Sequence, residues 1–561
     1  MIQLPAGVSN RLWILRSLGP WKAFQMAAEN SRAAQLRRLR SILRWNAASE
    51  YGKRFGFRGL RTVEEFRERV PVVRYDDLSS EMEAIQSGRE GVLTTEPVLL
   101  LQPSSGSTAA SKLIPYTGAL RREFNRAVSI WMADLFWARP ELMDGPAYWS
   151  VSPKNAELPK VSGSIPVGFD DDAAYLGGLT RSIVQGALAV PGEVGKIRDL
   201  EDHRYATLRY LLSARDLRMI SAWSPTFLAL LLEPLGRWWY GLLEDVEQGA
   251  LTLPNRSVTL DLPLPPPDPQ RVRELRGVGP GDLPGIWPWL GLISAWADGA
   301  SAPYAQDLRR QFPGVPFQPK GLIATEAFVT IPRWRLPGSH PAITSHFFEF
   351  LPEGAGVEEA LLVDELTDGH RYEVVVTTGG GLYRYRLGDL VEVVEHAEGL
   401  PCLRFGGRAD RVSDMFGEKL SDGFVTNALE ELCDDGGLEP TFSLLAPEEV
   451  GGRPRYVWFL GLDRYVEGVG AHPLDPGMGD TLPPHLAREL DRALSESFHY
   501  ANCRRLGQLD APEVRLVPDT AAARYLVEKG EDAQRLGDVK IPALETEKGW
   551  GEVLAPRVVD P

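Results

Sequence analysis

A chain of 561 residues exceeds what one hydrophobic core ordinarily organises, so at least two domains are expected. With 43% hydrophobic and 24% charged residues it has the make-up of a globular protein. Its net charge of −15 excludes nucleic acid as the main partner, because phosphate-backbone binding needs a concentrated basic surface.

Three cysteines (Cys402, Cys433, Cys503) and eight scattered histidines suit neither a disulfide framework nor a zinc cluster, and they point to a reducing, cytoplasmic setting. The opening residues, MIQLPAGVSNRLWILRSLGPWK, lack the apolar core and small-residue cleavage site of a signal peptide. The most apolar stretch, FLALLLEPLGRWWYGLL from Phe227, is interrupted by Glu233, Pro234 and Arg237, so no membrane partner is expected.

In chain order, Leu36, Leu39, Ile42 and Leu43 recur at helical spacing and predict one helix from Phe24 to Ala48. Val98 to Leu101 reads as a short buried strand. A polar loop, Gln102 to Lys112, follows it, and Thr117 then caps a helix beginning GALRREF. Leu262 to Pro269 (LPLPPPDP) reads as an extended surface connection between helical patterns. From Phe347 the pattern turns to strands: Phe347–Phe350, Tyr372–Thr377, Leu382–Leu387, Leu390–Val394 and Leu403–Phe405, with Gly379-Gly380-Gly381 as a turn. Past Asp410 a mixed region of about 150 residues has the size of a separate small domain. Helices interleaved with strands make the fold class α/β.

Chemistry concentrates at a few places. In Ser104-Ser105-Gly106-Ser107-Thr108, followed by Lys112, small hydroxylic residues around a glycine let backbone N–H groups and hydroxyls converge on phosphate oxygens, and the lysine adds charge. This is not the usual phosphate loop, and such a cluster is also ordinary loop material. In Gly321 to Ala327 a small apolar strand ends in Thr325-Glu326, a hydroxyl and a carboxylate at a strand terminus, and Glu326 is suited to Mg²⁺. Along Gly381 to Asp389 two tyrosines and two arginines alternate, which puts Tyr383 and Tyr385 on one face of a strand and Arg384 and Arg386 on the other. Gly388 then bends the chain, and Asp389 is suited to accept hydrogen bonds from vicinal ribose hydroxyls. Phe405 to Arg411, with Gly406 and Gly407 beside charged residues, reads as a hinge. Lys540 stands alone near the C-terminal end.

Taken together and in this order, these segments resemble the adenylate-forming superfamily, and within it the auxin-responsive acyl-acid amido synthetases of plants and bacteria. NAASEYGKRF (Asn46–Phe55), PVVRYDD (Pro71–Asp77), FFEFLP (Phe347–Pro352) and above all YEVVVTTGGGLYRYRLGD (Tyr372–Asp389) carry the likeness, which spans nearly the whole chain. The resemblance implies a large N-terminal α/β domain with a β-barrel-like subregion (1–409) and a small mobile C-terminal α+β domain (410–561). It implies that Ser104 to Thr108 wrap the ATP phosphates with Lys112 near them, and that Thr325 and Glu326 face the α-phosphate and Mg²⁺. It implies that Asp389 holds the ribose with Arg408 beside it, that Asp410 is the hinge, and that Lys540 reaches across the domain interface. Two departures stand out: Ala110-Ser111 precede Lys112 where the family has a second glycine and one more residue, and Ala324-Thr325 replace two serines.

The implied reaction has two steps. A carboxylic acid attacks the α-phosphate of ATP and becomes an acyl-adenylate; an amine, expected to be an amino acid, then displaces AMP to form an amide. Charge building on the phosphates calls for Mg²⁺, the loop donors and Lys540. The sequence identifies no general base for the amine; Glu418 could be named, but a helix-start or turn role is the commoner use of such a residue. Delivery to a thiol (coenzyme A or a carrier protein), or nucleotide and acid binding without turnover, are the competing readings. Trp223, Trp287, Trp289, Trp296 and Trp334 are candidates for an acyl pocket, core packing being the commoner use of such residues. The acid, the acceptor and the oligomeric state, a monomer included, are left open.

Overall fold

The computed structural model describes residues 4–103, 112–150, 165–168, 184–256, 262–409, 411–450, 453–462, 484–530 and 540–554. The first expected helix is two: α1 (Ala6–Ala28) and α2 (Ser31–Asn46). Asn30 makes the break, its side chain accepting a hydrogen bond from the Ala33 N–H at 3.0 Å and so capping α2. Leu39, Ile42 and Leu43 are buried, as their spacing predicts.

Strand β1 (Val98–Pro103) does not lead through its polar loop into a helix. It pairs antiparallel with β2 (Leu113–Thr117), and only then does α3 (Gly118–Ala138) begin. The strand escaped notice because it is five residues long and contains Pro115. The expected cap holds: Thr117 Oγ1 accepts from the Leu120 N–H at 3.2 Å.

The middle of the chain builds a parallel sheet in the order β3 (Ala147–Trp149), β4 (Met219–Ser221), β5 (Leu292–Ala295) and β6 (Phe317–Pro319). Helices α4 (Leu200–Ser213), α5 (Pro225–Leu232), α6 (Leu235–Gln248), α7 (Pro269–Val278) and α8 (Ala302–Gln311) connect its strands. Leu208, Leu211, Ile220, Leu231, Leu275 and Ile293 form a shared core there. The apolar stretch at Phe227 is α5 and α6, parted at Glu233-Pro234, and no helix among the described residues is long and apolar enough to cross a membrane.

The strand-rich region forms a six-stranded antiparallel sheet, β7-β8-β12-β11-β10-β9, from β7 (Thr330–Pro332), β8 (Ser339–Pro341), β9 (Phe347–Pro352), β10 (Arg371–Thr377), β11 (Tyr385–Ala397) and β12 (Leu400–Arg408). Leu382 to Arg384 are not part of it. Arg384 takes a positive φ of 46°, so β11 begins at Tyr385 and the alternation expected across Tyr383 to Arg386 is lost.

The smaller C-terminal region has its own core around Leu429, Tyr456, Trp458, Leu490 and Leu544. It contains the pair β13 (Val412–Ser413) and β14 (Leu420–Ser421), helix α9 (Asp422–Gly436), and the sheet β15 (Pro440–Val450), β16 (Arg453–Leu462), β17 (Glu513–Leu516). The chain after Lys540 returns to β15: Leu445 N–H donates to Ala543 O and Glu545 N–H to Leu445 O, both at 2.8 Å. That ladder fixes where Lys540 emerges.

Candidate functional site

The site is assembled where the carboxyl ends of the parallel strands meet β11 and β12, the usual position for ligands in sheets of this kind. After β6 the chain runs Lys320-Gly321-Leu322 into a tight turn. Ile323 bridges Phe328, and the Ala324 N–H donates to Ala327 O at 3.0 Å, which leaves Thr325-Glu326 at the tip of a turn rather than at a strand end. Glu326 is buried, and Tyr385 Oη donates to its Oε1 at 3.4 Å. Burial raises the Glu326 carboxyl above the usual carboxylate range, the charge of Asp389 adds to this, and Lys112 and Arg408 oppose it. Asp389, Lys112 and Arg408 thus all act on the Glu326 charge, although the four residues come from four segments of the chain.

Asp389 and Arg408 are cross-strand partners in the β11–β12 register, and Arg408 Nη1 lies 3.1 Å from Asp389 Oδ1. Arg408 Nη2 also donates to Leu387 O at 3.3 Å, and its backbone N–H to Asp422 Oδ2 at 3.3 Å. Gly388, at φ 80°, is the expected bend, and the β11–β12 register shifts between Asp389 and Val391. Lys112 immediately precedes β2 and is held there: Tyr75 Oη accepts from the Leu113 N–H at 3.0 Å, and Lys112 Nζ sits 6.0 Å from the centre of the Tyr75 ring. The phrase containing Tyr75 is itself tied to the tyrosine–arginine block, since Val73 N–H donates to Arg384 O at 3.1 Å and Arg386 N–H to Val73 O at 2.9 Å.

A cleft separates this group from the C-terminal region, lined by Trp296, Asp298, Gly407, Arg408, Asp422 and Lys540 among others. Lys540 Nζ stands 4.1 Å over the Trp296 ring centre and 5.3 Å from that of Phe405. Burial pushes the carboxyls of Asp298 and Asp422 up, with Lys540 pulling Asp298 back and Arg411 doing the same for Asp422.

The tertiary structure therefore brings Lys112, Glu326, Asp389 and Arg408 together, places Thr325 beside Glu326, and puts Lys540 on the cleft that Arg408 also lines. Ser104, Ser105, Gly106, Ser107, Thr108 and Asp410 lie outside the described residues. Glu418 has a turn role: it is fully buried, its Oε1 accepts from the Met415 N–H at 2.8 Å and from Tyr456 Oη at 2.6 Å, and its Oε2 from the Phe416 N–H at 2.8 Å. Of the tryptophans, Trp296 lines the cleft with Trp223 next to it at 6.1 Å, whereas Trp287 is core and Trp289 is exposed. Sequence reasoning passed over Asp298, Asp422, Tyr75, Tyr385 as a carboxylate partner, and Lys320. Only Lys320 left a signal, a lone lysine between Pro319 and a small apolar run.

The GH3 family N-terminal domain matches residues 21–317, its central domain 340–408 and its C-terminal domain 424–548. The chain belongs to the GH3 family. Among curated relatives, the probable indole-3-acetic acid-amido synthetase GH3.12 of Oryza sativa subsp. japonica is 27% identical, covering 92% of this chain and 92% of its own length. The indole-3-acetic acid-amido synthetase GH3.4 of Arabidopsis thaliana is 26% identical over 73% of this chain and 72% of its own. In fold, this GH3 chain is similar to the solved AtGH3.15 acyl acid amido synthetase in complex with 2,4-DB, with a TM-score of 0.78 at 20% identity, covering 94% of this chain and 93% of that one. The α/β architecture with a large N-terminal and a smaller C-terminal region is that of this structure.

Proposed function

We propose that this GH3 chain activates a carboxylic acid with ATP and transfers the acyl group to an amine, an amino acid being the expected acceptor, to form an amide. The observation that carries the reading is the convergence of Glu326, Asp389, Arg408 and Lys112 from distant segments, with Lys540 on the facing side of the cleft, in a chain whose curated relatives are named amido synthetases. In this reading Ser104 to Thr108 and Lys112 hold the phosphates, Asp389 positioned by Arg408 takes the ribose hydroxyls, and Thr325 and Glu326 face the α-phosphate. The small domain from residue 410 turns about Asp410, bringing Lys540 toward the phosphates for adenylation and away for amide formation.

The donor set suits Mg²⁺. Mg²⁺ is usually held by one or two carboxylates together with substrate phosphates, and the buried Glu326 carboxylate beside Asp389 offers such an oxygen donor. Glu326 would hold it, and a divalent charge would relieve the crowding of Glu326 and Asp389. When bound, the ion neutralises charge that develops on the α-phosphate and the departing pyrophosphate. The buried, unbridged Cys402, Cys433 and Cys503 agree with a reducing compartment such as the cytoplasm.

The test is pyrophosphate release with ATP and Mg²⁺ over a panel of carboxylic acids, with and without mixed amino acids. Release that requires an acid and yields an amide by mass supports the synthetase. Release stimulated only by coenzyme A or a carrier protein moves the acyl group to a thiol. ATP binding with silence across the panel leaves a non-catalytic sensor.

A further inference from the structure

The carboxyl end of the parallel sheet holds a second cluster that the adenylation chemistry does not use. Trp149, Ser221, Ser294 and Gln318 are direct register neighbours across β3, β4, β5 and β6, so all four share one face. Lys320, two residues beyond Gln318, joins that face. Its Nζ donates to Ser221 Oγ at 2.6 Å and lies 4.8 Å and 5.2 Å from the ring centres of Trp131 and Trp223. Trp131 roofs the layer from α3, its Nε1–H donating to Gln318 Oε1 at 2.9 Å.

This layer is buried and incompletely bonded. Lys320 is only 3% exposed, and burial alone lowers its amine, to about 7, with no carboxylate contributing. Ser294 Oγ, Gln318 Nε2, Trp149 Nε1 and Trp296 Nε1 are buried without a hydrogen-bond partner among the described residues. Among the described residues two indole faces and a hydroxyl surround this amine; charging it there is costly, and so is each unmatched donor. Both costs fall if an anion with several acceptor oxygens enters. The layer borders the cleft, since Gly321 and Leu322 follow Lys320 and line it, and Trp223 lies against the cleft-lining Trp296.

We propose that Lys320, Ser221, Ser294 and Gln318 form a carboxylate-recognition subsite for a carboxylate other than the one adenylated. The inference rests on the synthetase reading, and it narrows the substrate class. The bearer is the second carboxylate of a dicarboxylic acid, or the α-carboxylate of the acceptor amino acid. The burial of the layer, all of it contributed by the large N-terminal region, favours the acid.

ATP–pyrophosphate exchange without any amine compares dicarboxylic acids with monocarboxylic acids of matched length; amide formation then compares amino acids with their α-amides. In the first arm the wild type is expected to favour the diacid at least tenfold in kcat/KM. Lys320→Met is expected to erase that preference while exchange with the monoacid persists, and Ser221→Ala to weaken it several-fold with the lysine in place. Preference and its loss confined to the second arm assign the subsite to the acceptor. Equal use of both classes, unchanged by Lys320→Met, overturns the subsite. If no acid supports exchange, the synthetase reading fails, and the subsite is judged by thermal shift with a dicarboxylate: stabilisation of wild type but not of Lys320→Met keeps it, and no difference overturns it.

Discussion

Within the block Tyr383 to Asp389, seven residues long, the two ends treat charge in opposite ways. Arg384, 4% exposed, is fully engaged: its Nε and Nη2 reach the two Glu349 oxygens at 2.9 and 3.1 Å, and its Nη1 reaches the carbonyls of Arg67 and Val70 at 3.1 and 2.9 Å. Five residues on, Asp389 pairs with Arg408 and acts on the buried Glu326, whose carboxyl is raised by its surroundings. The first cluster is scaffold; the second, with the Glu326 carboxyl raised, is the one proposed to meet substrate. A cluster of charges therefore points to a site by what it leaves uncompensated, and its size alone says little.

Breaking the closed end is expected to have the largest effect. Arg384→Met strands Glu349 in the core with Arg67 as its remaining ion-pair partner among the described residues; the expected loss is about 3–5 kcal/mol of stability, read by urea denaturation, with activity falling only as the fold does. Lys540→Ala sharpens the contrast from the other side. Adenylation measured by ATP–pyrophosphate exchange is expected to fall about 100- to 1,000-fold while the unfolding midpoint stays put, because Lys540 lies on the exposed rim of the cleft. Unchanged exchange would remove Lys540 from the mechanism.

Asp389→Asn keeps the shape and removes the charge. Loss of charged hydrogen bonds of about 1.5–3 kcal/mol predicts a KM for ATP raised roughly 10- to 100-fold, with little change for the acid. The smallest effect expected is on stability at Glu326. Its carboxyl takes up a proton at higher pH in the folded chain than in the unfolded one, so stability falls as pH rises from the ordinary carboxylate value through the raised one. Glu326→Gln is expected to flatten that dependence and to add about 1 kcal/mol at neutral pH while abolishing adenylation. A variant that is both less stable and pH-insensitive would mean that the Glu326 charge is a structural asset.

Much of this was legible beforehand because it is local. Thr117 caps a helix through atoms three residues away, Gly388 bends a strand at its own φ, and an acidic residue after that bend is suited to a sugar hydroxyl wherever the strand lies. The likeness carried by YRYRLGD identified the chemistry, but it did not reveal that Arg384 and Asp389 have unrelated duties. That depends on Glu349 and Arg67, which the linear block does not contain.

The sequence by itself determined the α/β class, the charge balance, the ends of several helices and the residue types that an acyl-adenylating site needs, since each follows from backbone propensity, periodicity or side-chain chemistry. Tertiary structure decided which charges are compensated. Glu326 is raised because the fold buries it, with Asp389 adding to the effect; Glu418 is consumed by a turn and Tyr456; and the Lys320 amine is lowered because strands β3 to β6 and α3 close around it. Desolvation and pairing are properties of a surrounding volume, and in a folded chain that volume is filled by residues far apart in sequence.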